Sequence, residues 1–289
     1  RLLRRQGEVA AAIDLMGSLP LDTIIDQYEI VAMVNSLVLA ERSTEAMELA
    51  QRAVLLAPDN AAVWIALSDV LRSAGELTAA RRALGEANRI NENPDGHLLR
   101  RAWVSSLDGD FHGALTHIRR LIQIYPNGGV APWFYALMVA ETSEEDLFFT
   151  DIAQARGRLH PGDGPLDFFA AAYHHLERYE EAAMLMELGR TRDCEVSGDV
   201  DNRSNCEAWY NALAGHDLDR ARDLIGNAIA NAPNRAEYLD TLAVVHEAHG
   251  ELHEASSAAH RAAQRAPDDV YLLWQAHRLS EAANTRPGG

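Results

Sequence analysis

Residues 61–94 read AAVWIALSDVLRSAGELTAARRALGEANRINENP. Two helical patterns, each about a dozen residues long, stand on either side of Ala74-Gly75-Glu76-Leu77. The glycine there can take the positive φ that ends a helix. Trp64, Leu67 and Leu71 fall at i, i+3 and i+7 on the first pattern, and Ala80, Leu84 and Ala87 do the same on the second. Each helix therefore has one apolar face to turn toward its partner. Neither can bury that face alone, so the stretch predicts a helix–turn–helix hairpin.

The hairpin recurs. The position of Ala80 returns every 34 residues as Ala12, Ala46, Ala114, Phe148 and Ala182, then after one five-residue offset as Ala221 and Ala255. The position of Leu84 gives Met16, Ala50, Ile118, Ile152, Met186, Ile225 and Ala259, and that of Ala87 gives Leu19, Ala53, Leu121, Ala155, Gly189, Ala228 and Ala262. The turn reads Gly7, Glu41, Gly75, Gly109, Ser143, Glu177, His216 and Gly250. Self-similarity at a fixed period marks a repeat architecture. The expectation is an all-α chain with one continuous core over 1–283: a partial repeat over 1–26, then repeats from about 27, 61, 95, 129, 163, 202 and 236. An insertion falls at 197–201. A lone helix over 270–283, with Leu273, Ala276 and His277 facing back and Gln275, Arg278 and Glu281 facing out, reads as a polar-faced cap. The tail 284–289 is expected to be disordered.

At Trp64, Leu67, Leu71, Gly75, Ala80, Leu84 and Ala87 the sequence resembles the tetratricopeptide repeat family. Ser68 departs from the family's usual glycine, and Phe148 from its alanine. The resemblance implies a right-handed α-solenoid of stacked 34-residue helix–turn–helix repeats, with a concave wall lined by first-helix residues. Carried across, the groove positions include Leu99, Trp103, Leu107, Trp133, Leu137, Tyr210, Asp240, Glu247 and Trp274. The wall is apolar and aromatic at its centre and acidic toward the C-terminus, which suits a peptide or amphipathic helix with basic and apolar residues. The implied function is a protein–protein interaction scaffold or adaptor. The alternative is a regulatory or substrate-recruiting module of a protease or kinase system. Chaperone-binding members hold a C-terminal carboxylate with a clamp of polar and basic residues. Only Asn35 and Arg72 suit that clamp here, so it is not expected. Trp103 and Trp133 have a second reading as core residues around the irregular 129–162 repeat.

Composition excludes other classes. A formal charge of -17 disfavours nucleic acid and anionic membranes as partners. All 26 basic residues are arginine, which removes Schiff-base and P-loop lysine chemistry and fits a high-GC bacterial genome. There is no apolar run of about 18 residues to span a membrane and no signal-peptide pattern, and a cytoplasmic location is expected. In that compartment Cys194 and Cys206 are expected as free thiols, with a bridge between them as the alternative. The chain opens at Arg1 inside a repeat, which reads as a fragment of a longer polypeptide with an open N-terminal face available for homo-oligomers.

No catalytic residue, cofactor or metal is expected. His246-Glu247-Ala248-His249 is one residue short of the zinc-protease spacing, and His174 and His175 point apart on a helix. The acidic run Asp193, Glu195, Asp199, Asp201 lacks the glycine and terminal glutamate of a calcium loop. Cys206 with His174 or His175, on neighbouring repeats of the same wall, is a nucleophile–base pairing of the kind that chance proximity readily gives.

Overall fold

The computed structural model describes residues 11, 14–15, 29–91, 94–125, 131–142, 146–147, 150–151, 166–194 and 199–285. No strand occurs among the described residues. The helices are α1 (Glu29–Leu39), α2 (Ser43–Leu56), α3 (Ala61–Ser73), α4 (Leu77–Ile90), α5 (Pro94–Leu107), α6 (Phe111–Ile124) and α7 (Ala131–Thr142), followed by α8 (Leu166–His175) and α9 (Tyr179–Gly189). After them come α10 (Val200–Ala214), α11 (Leu218–Asn231), α12 (Ala236–Ala248), α13 (Leu252–Arg265) and α14 (Val270–Thr285).

Contacts divide the chain into two units, Arg1–Asp110 with Ala263–Trp274, and Phe111–Ala262 with Gln275–Gly289. In the first unit α1 pairs with α2 and α3 with α4, while α1 also lies against α3. In the second, α8 pairs with α9 and α10 with α11, and α7, α8, α10 and α12 lie successively side by side. Within each unit, then, hairpins stack so that first helices meet first helices. That contact line is the wall on which candidate binding residues sit.

Small side chains make the stacking close. Ala46, Ala80, Ala114, Ala221 and Ala255 are fully enclosed, and Ala182 nearly so. Each sits where a second helix crosses its partner, and a side chain of one carbon lets helix axes approach to about 8–10 Å. One turn further on, Leu84, Ile118 and Ile225 are also fully buried, each worth about 1.5–3 kcal/mol by removal from water. Ala12, Met16, Leu19, Phe148, Ile152 and Ala155 lie outside the described residues, as do the turn positions Gly7 and Ser143.

On α3 the buried stripe differs from expectation. Val63, Ala66 and Val70 are enclosed, whereas Trp64, Leu67 and Leu71 are half-buried. The reason is packing on more than one side: α3 touches α1, α2 and α4, so the residues nearest the common centre are the ones beside the expected stripe. Trp64 keeps its indole at the rim, donating Nε1–H to the Pro58 carbonyl at 2.8 Å.

The turns follow the period with one shift. Glu41, Gly75, Gly109, Glu177 and Gly250 all take left-handed φ between 59° and 78°. Between α10 and α11 the left-handed residue is Gly215, at φ 61°, in place of His216, and Asp217 adds a second at 47°. Asp199 opens α10 by accepting from the Asp201 amide at 3.1 Å.

Two further expectations are corrected. Beyond Gly189, α9 runs into a π-turn over Arg190–Cys194, and Cys194 is bridged to Cys206 on α10, so neither thiol is free. The wider turn carries Cys194 to the buried side facing α10, which twelve residues of sequence separation do not reveal. The closing helix extends to Thr285 and has no polar outer face through its middle. Leu272, Leu273, Trp274, Gln275 and Ala276 are consecutive and all buried, which accounts for every side of a helix.

Candidate binding wall

In the first unit, the wall is polar where α1, α3 and α5 present Asn35, Asp69 and Arg100. Asn35 and Asp69 occupy the same position of successive repeats, and the Asn35 amide donates to Asp69 Oδ2 at 3.0 Å. Arg100 closes the carboxylate from the next helix, with Nε 3.1 Å from Oδ1 and Nη2 3.1 Å from Oδ2. Asp69 is buried, which by itself raises a carboxyl pKa. The charges of Arg100 and Arg72, with the hydrogen bonds from Arg100 and Asn35, outweigh that and hold it below its ordinary value.

The Arg72 guanidinium carbon lies over the Trp103 ring, 3.5 Å from its centre. Burial brings its pKa down to about 10, against the pull of Asp69, and its buried Nε makes no hydrogen bond. Trp103 is itself almost fully enclosed, Leu99 is buried and Leu107 is exposed. Trp274 is buried and pairs with Tyr271, their rings 6.2 Å apart.

The first unit's wall also holds a piece of polypeptide. The second hydrogen of the Asn35 amide goes to the main-chain carbonyl of Pro267, at 2.9 Å, between α13 and α14.

In the second unit the wall is aromatic and acidic. Trp133 on α7, Phe168 on α8 and Trp209 on α10 form a run with ring centres 6.3 and 6.0 Å apart. Trp209 donates Nε1–H to Asp167 at 3.1 Å. Burial, with a smaller push from Asp193, raises the Asp167 carboxyl above its usual range. Tyr210 donates its hydroxyl to Asp193 at 2.8 Å, and burial followed by the nearby carboxylates pushes its own pKa up. Gly189 lies directly under the Tyr210 ring, where a Cβ would collide with it.

Toward the C-terminal end of this wall, Arg278 of α14 forks onto Glu247 with distances of 2.6 and 2.7 Å. Its guanidinium stands 5.0 Å from the centre of the Trp133 ring. Trp133 and Asp240 are buried, whereas Leu137 and Glu247 are half-buried.

The sequence singles out Trp133 and Glu247 as expected groove positions but does not reveal the residue that joins them. Arg278, assigned to an outward face, is drawn in by Glu247. Nor does the sequence reveal Arg100, which stands 31 residues from Asp69, off the 34-residue beat that marks Asn35. A lone buried aspartate at a wall position was the available signal, since such a carboxylate needs a cationic partner.

The histidine and cysteine alternatives have other uses. His246 Nδ1 sits 2.6 Å from Glu251, and His174 packs edge-on against Tyr179. Cys206 is spent in the bridge, which removes the nucleophile from the pairing with His174 or His175. Among the described residues no group of three His, Cys, Asp or Glu is placed to hold a metal ion. No helix among them is long and apolar enough to cross a membrane.

Residues 37–102 match the family model for the tetratricopeptide repeat. Over this stretch the chain carries the tetratricopeptide repeat. Solved structures are similar to the chain at low identity, and the first of the two below supports the helical-repeat architecture. Yeast Tom70 aligns with 96% of this chain and 59% of its own, at 16% identity and a TM-score of 0.52. A tetratricopeptide repeat protein from Parabacteroides merdae aligns over 88% of this chain and 99% of its own, at 16% identity and a TM-score of 0.39. No curated protein sequence matches the chain. Tetratricopeptide folds are generally protein–protein interaction modules and typically non-enzymatic scaffolds.

Proposed function

We propose that the tetratricopeptide wall binds a peptide or helix of a partner protein, the chain acting as a scaffold or adaptor with no catalytic step of its own. The observation that carries this reading is the grip of Asn35 on the Pro267 carbonyl: a wall side chain already binds main chain. Main-chain hydrogen bonding supplies affinity for an extended segment of any sequence, and neighbouring pockets select its side chains. On the second unit's own wall, the carboxylates of Asp167, Asp240 and Glu247 and the aromatic run from Trp133 favour basic and apolar residues in a bound segment. The proposed groove residues are Leu99, Trp103, Leu107 and Trp274 on the first unit's wall, and Trp133, Leu137, Tyr210, Asp240 and Glu247 on the second's. Of these, Leu107 and Leu137 are open enough to meet a partner without rearrangement. Nucleic acid and membranes are not partners in this reading, given the chain's charge of -17.

For location, the bridge between Cys194 and Cys206 supports an oxidising compartment in place of the expected cytoplasm.

Affinity capture with the full chain, followed by mass spectrometry, tests the function. Leu107→Glu and Leu137→Glu should each lose a protein that the unaltered chain captures, while Leu55→Glu, on an exposed second-helix position, should keep it. Equal capture by all three variants would place the binding surface elsewhere.

A further inference from the structure

The second unit's wall carries a site for arginine, and the chain's own C-terminal helix fills it. Arg278 presents a planar fork to both oxygens of Glu247 at 2.6 and 2.7 Å, which is the bidentate geometry that distinguishes guanidinium from ammonium. Its guanidinium carbon stands over the Trp133 ring, 5.0 Å from the centre, and its Nε donates to Gln275 Oε1 at 3.0 Å. Gln275, Leu279 and Ala283 recur at i, i+4 and i+8 on the same helix, and all three are buried. A stripe of buried anchors beside one arginine is how an amphipathic helix docks in a groove.

The fit is incomplete. Gln275 is fully enclosed, yet its Nε2 has no hydrogen-bond partner, and a buried unpaired donor weakens the contact that encloses it. The Arg278 and Glu247 side chains keep 20% and 29% of their exposure, so water reaches the ion pair and exchange can begin there.

Resting on the proposed function, we infer that residues 275–285 are an internal occupant of this site, and that the partner is a helix of another protein that presents arginine and exchanges with them. An apolar or acidic helix would lack the group that Glu247 and Trp133 are arranged to receive. A partner that places an apolar side chain against the Gln275 position, or an acceptor within its reach, gains over the internal helix.

The test uses a fluorescein-labelled synthetic peptide with the sequence of Val270–Thr285, titrated by anisotropy against full-length chains. Arg278→Ala empties the guanidinium site, so that chain should bind the peptide at least about tenfold more tightly than the unaltered chain. The peptide carrying the same substitution should lose that gain, and Glu247→Ala added to the Arg278→Ala chain should abolish it. Equal affinity of the two chains, or of the two peptides, overturns the inference.

A second measurement holds even where Arg278→Ala loosens the fold. With the unaltered chain, excess peptide should speed amide exchange across residues 275–285 by about fivefold and leave Ala236–Ala248 unchanged. Unchanged exchange across residues 275–285 overturns it as well. A chain that captures a partner through Leu107 and Leu137 yet fails these tests retains the proposed function and loses only this site.

Discussion

Arg100 grips Asp69 at 3.1 Å with the two side chains only 6% and 1% exposed, a charge pair shut off from water at the foot of the first unit's wall. The pair is worth little compared with an apolar replacement of both, but much compared with the loss of one. Asp69→Ala leaves Arg100 and Arg72 facing each other in low dielectric without their counter-charge. It should cost about 3–5 kcal/mol in urea unfolding. The pH dependence follows from the depressed Asp69 pKa. Folded below unfolded means stability that is fully present above the ordinary carboxyl pKa of about 4 and is lost as pH falls through the lower folded value. Unaltered chain and Asp69→Asn should therefore differ most at neutral pH and converge in acid. A gap that widens on acidification would show the sign to be wrong.

The bridge between Cys194 and Cys206 closes a loop of twelve-residue separation between the π-turn and α10. Closing a loop of this size restrains the unfolded chain by about 3 kcal/mol in the chain-entropy account. Reduction, or Cys194→Ala with Cys206→Ala, should lower the melting temperature and speed exchange at the start of α10 before that of α12. Melting that is insensitive to reductant would mean the bridge restrains nothing.

Much of this was legible in sequence because the repeat makes each residue testify several times. Ala46, Ala80, Ala114, Ala182, Ala221 and Ala255 share one physical task, and their common burial is the consequence of a local rule applied repeatedly. What stayed hidden depends on distance along the chain. Asn35 and Pro267 are 232 residues apart, and no period links them. The burial of α14 was hidden for the same reason: Gln275 and Arg278 read as solvent-facing because their own helix is polar there, while Glu247 and Trp133 lie on other helices. The α3 stripe was misplaced by a single residue, since a two-helix picture ignores the third and fourth neighbours.

Gly189 lies under the Tyr210 ring without room for a Cβ. Because Tyr210 is held by its bond to Asp193, it cannot swing aside freely. Gly189→Ala should destabilise by about 1–3 kcal/mol through overpacking. Combining it with Tyr210→Phe, which frees the ring from Asp193, should recover part of the loss. Full additivity of the two changes in chemical denaturation would contradict the collision.

Glu41 and Glu177 hold φ of 59° where Gly75, Gly109 and Gly250 hold the same turn without strain. A residue with a Cβ costs about 1 kcal/mol there. Glu177→Gly and Glu41→Gly should each raise stability by about 1 kcal/mol, less what glycine adds to the entropy of the unfolded chain. Thermal melts would reveal it, and a fall in both variants would show that the glutamate side chains contribute more than their backbone strain removes.

The central claim is that first helices form the face that meets a partner protein. Its most direct test is a photo-crosslinking amino acid placed in turn at Leu107, Leu137 and Leu55, irradiated in the source cells and resolved by mass. Adducts with another protein from positions 107 and 137 but not from 55 are predicted. Adducts confined to position 55 would contradict the claim.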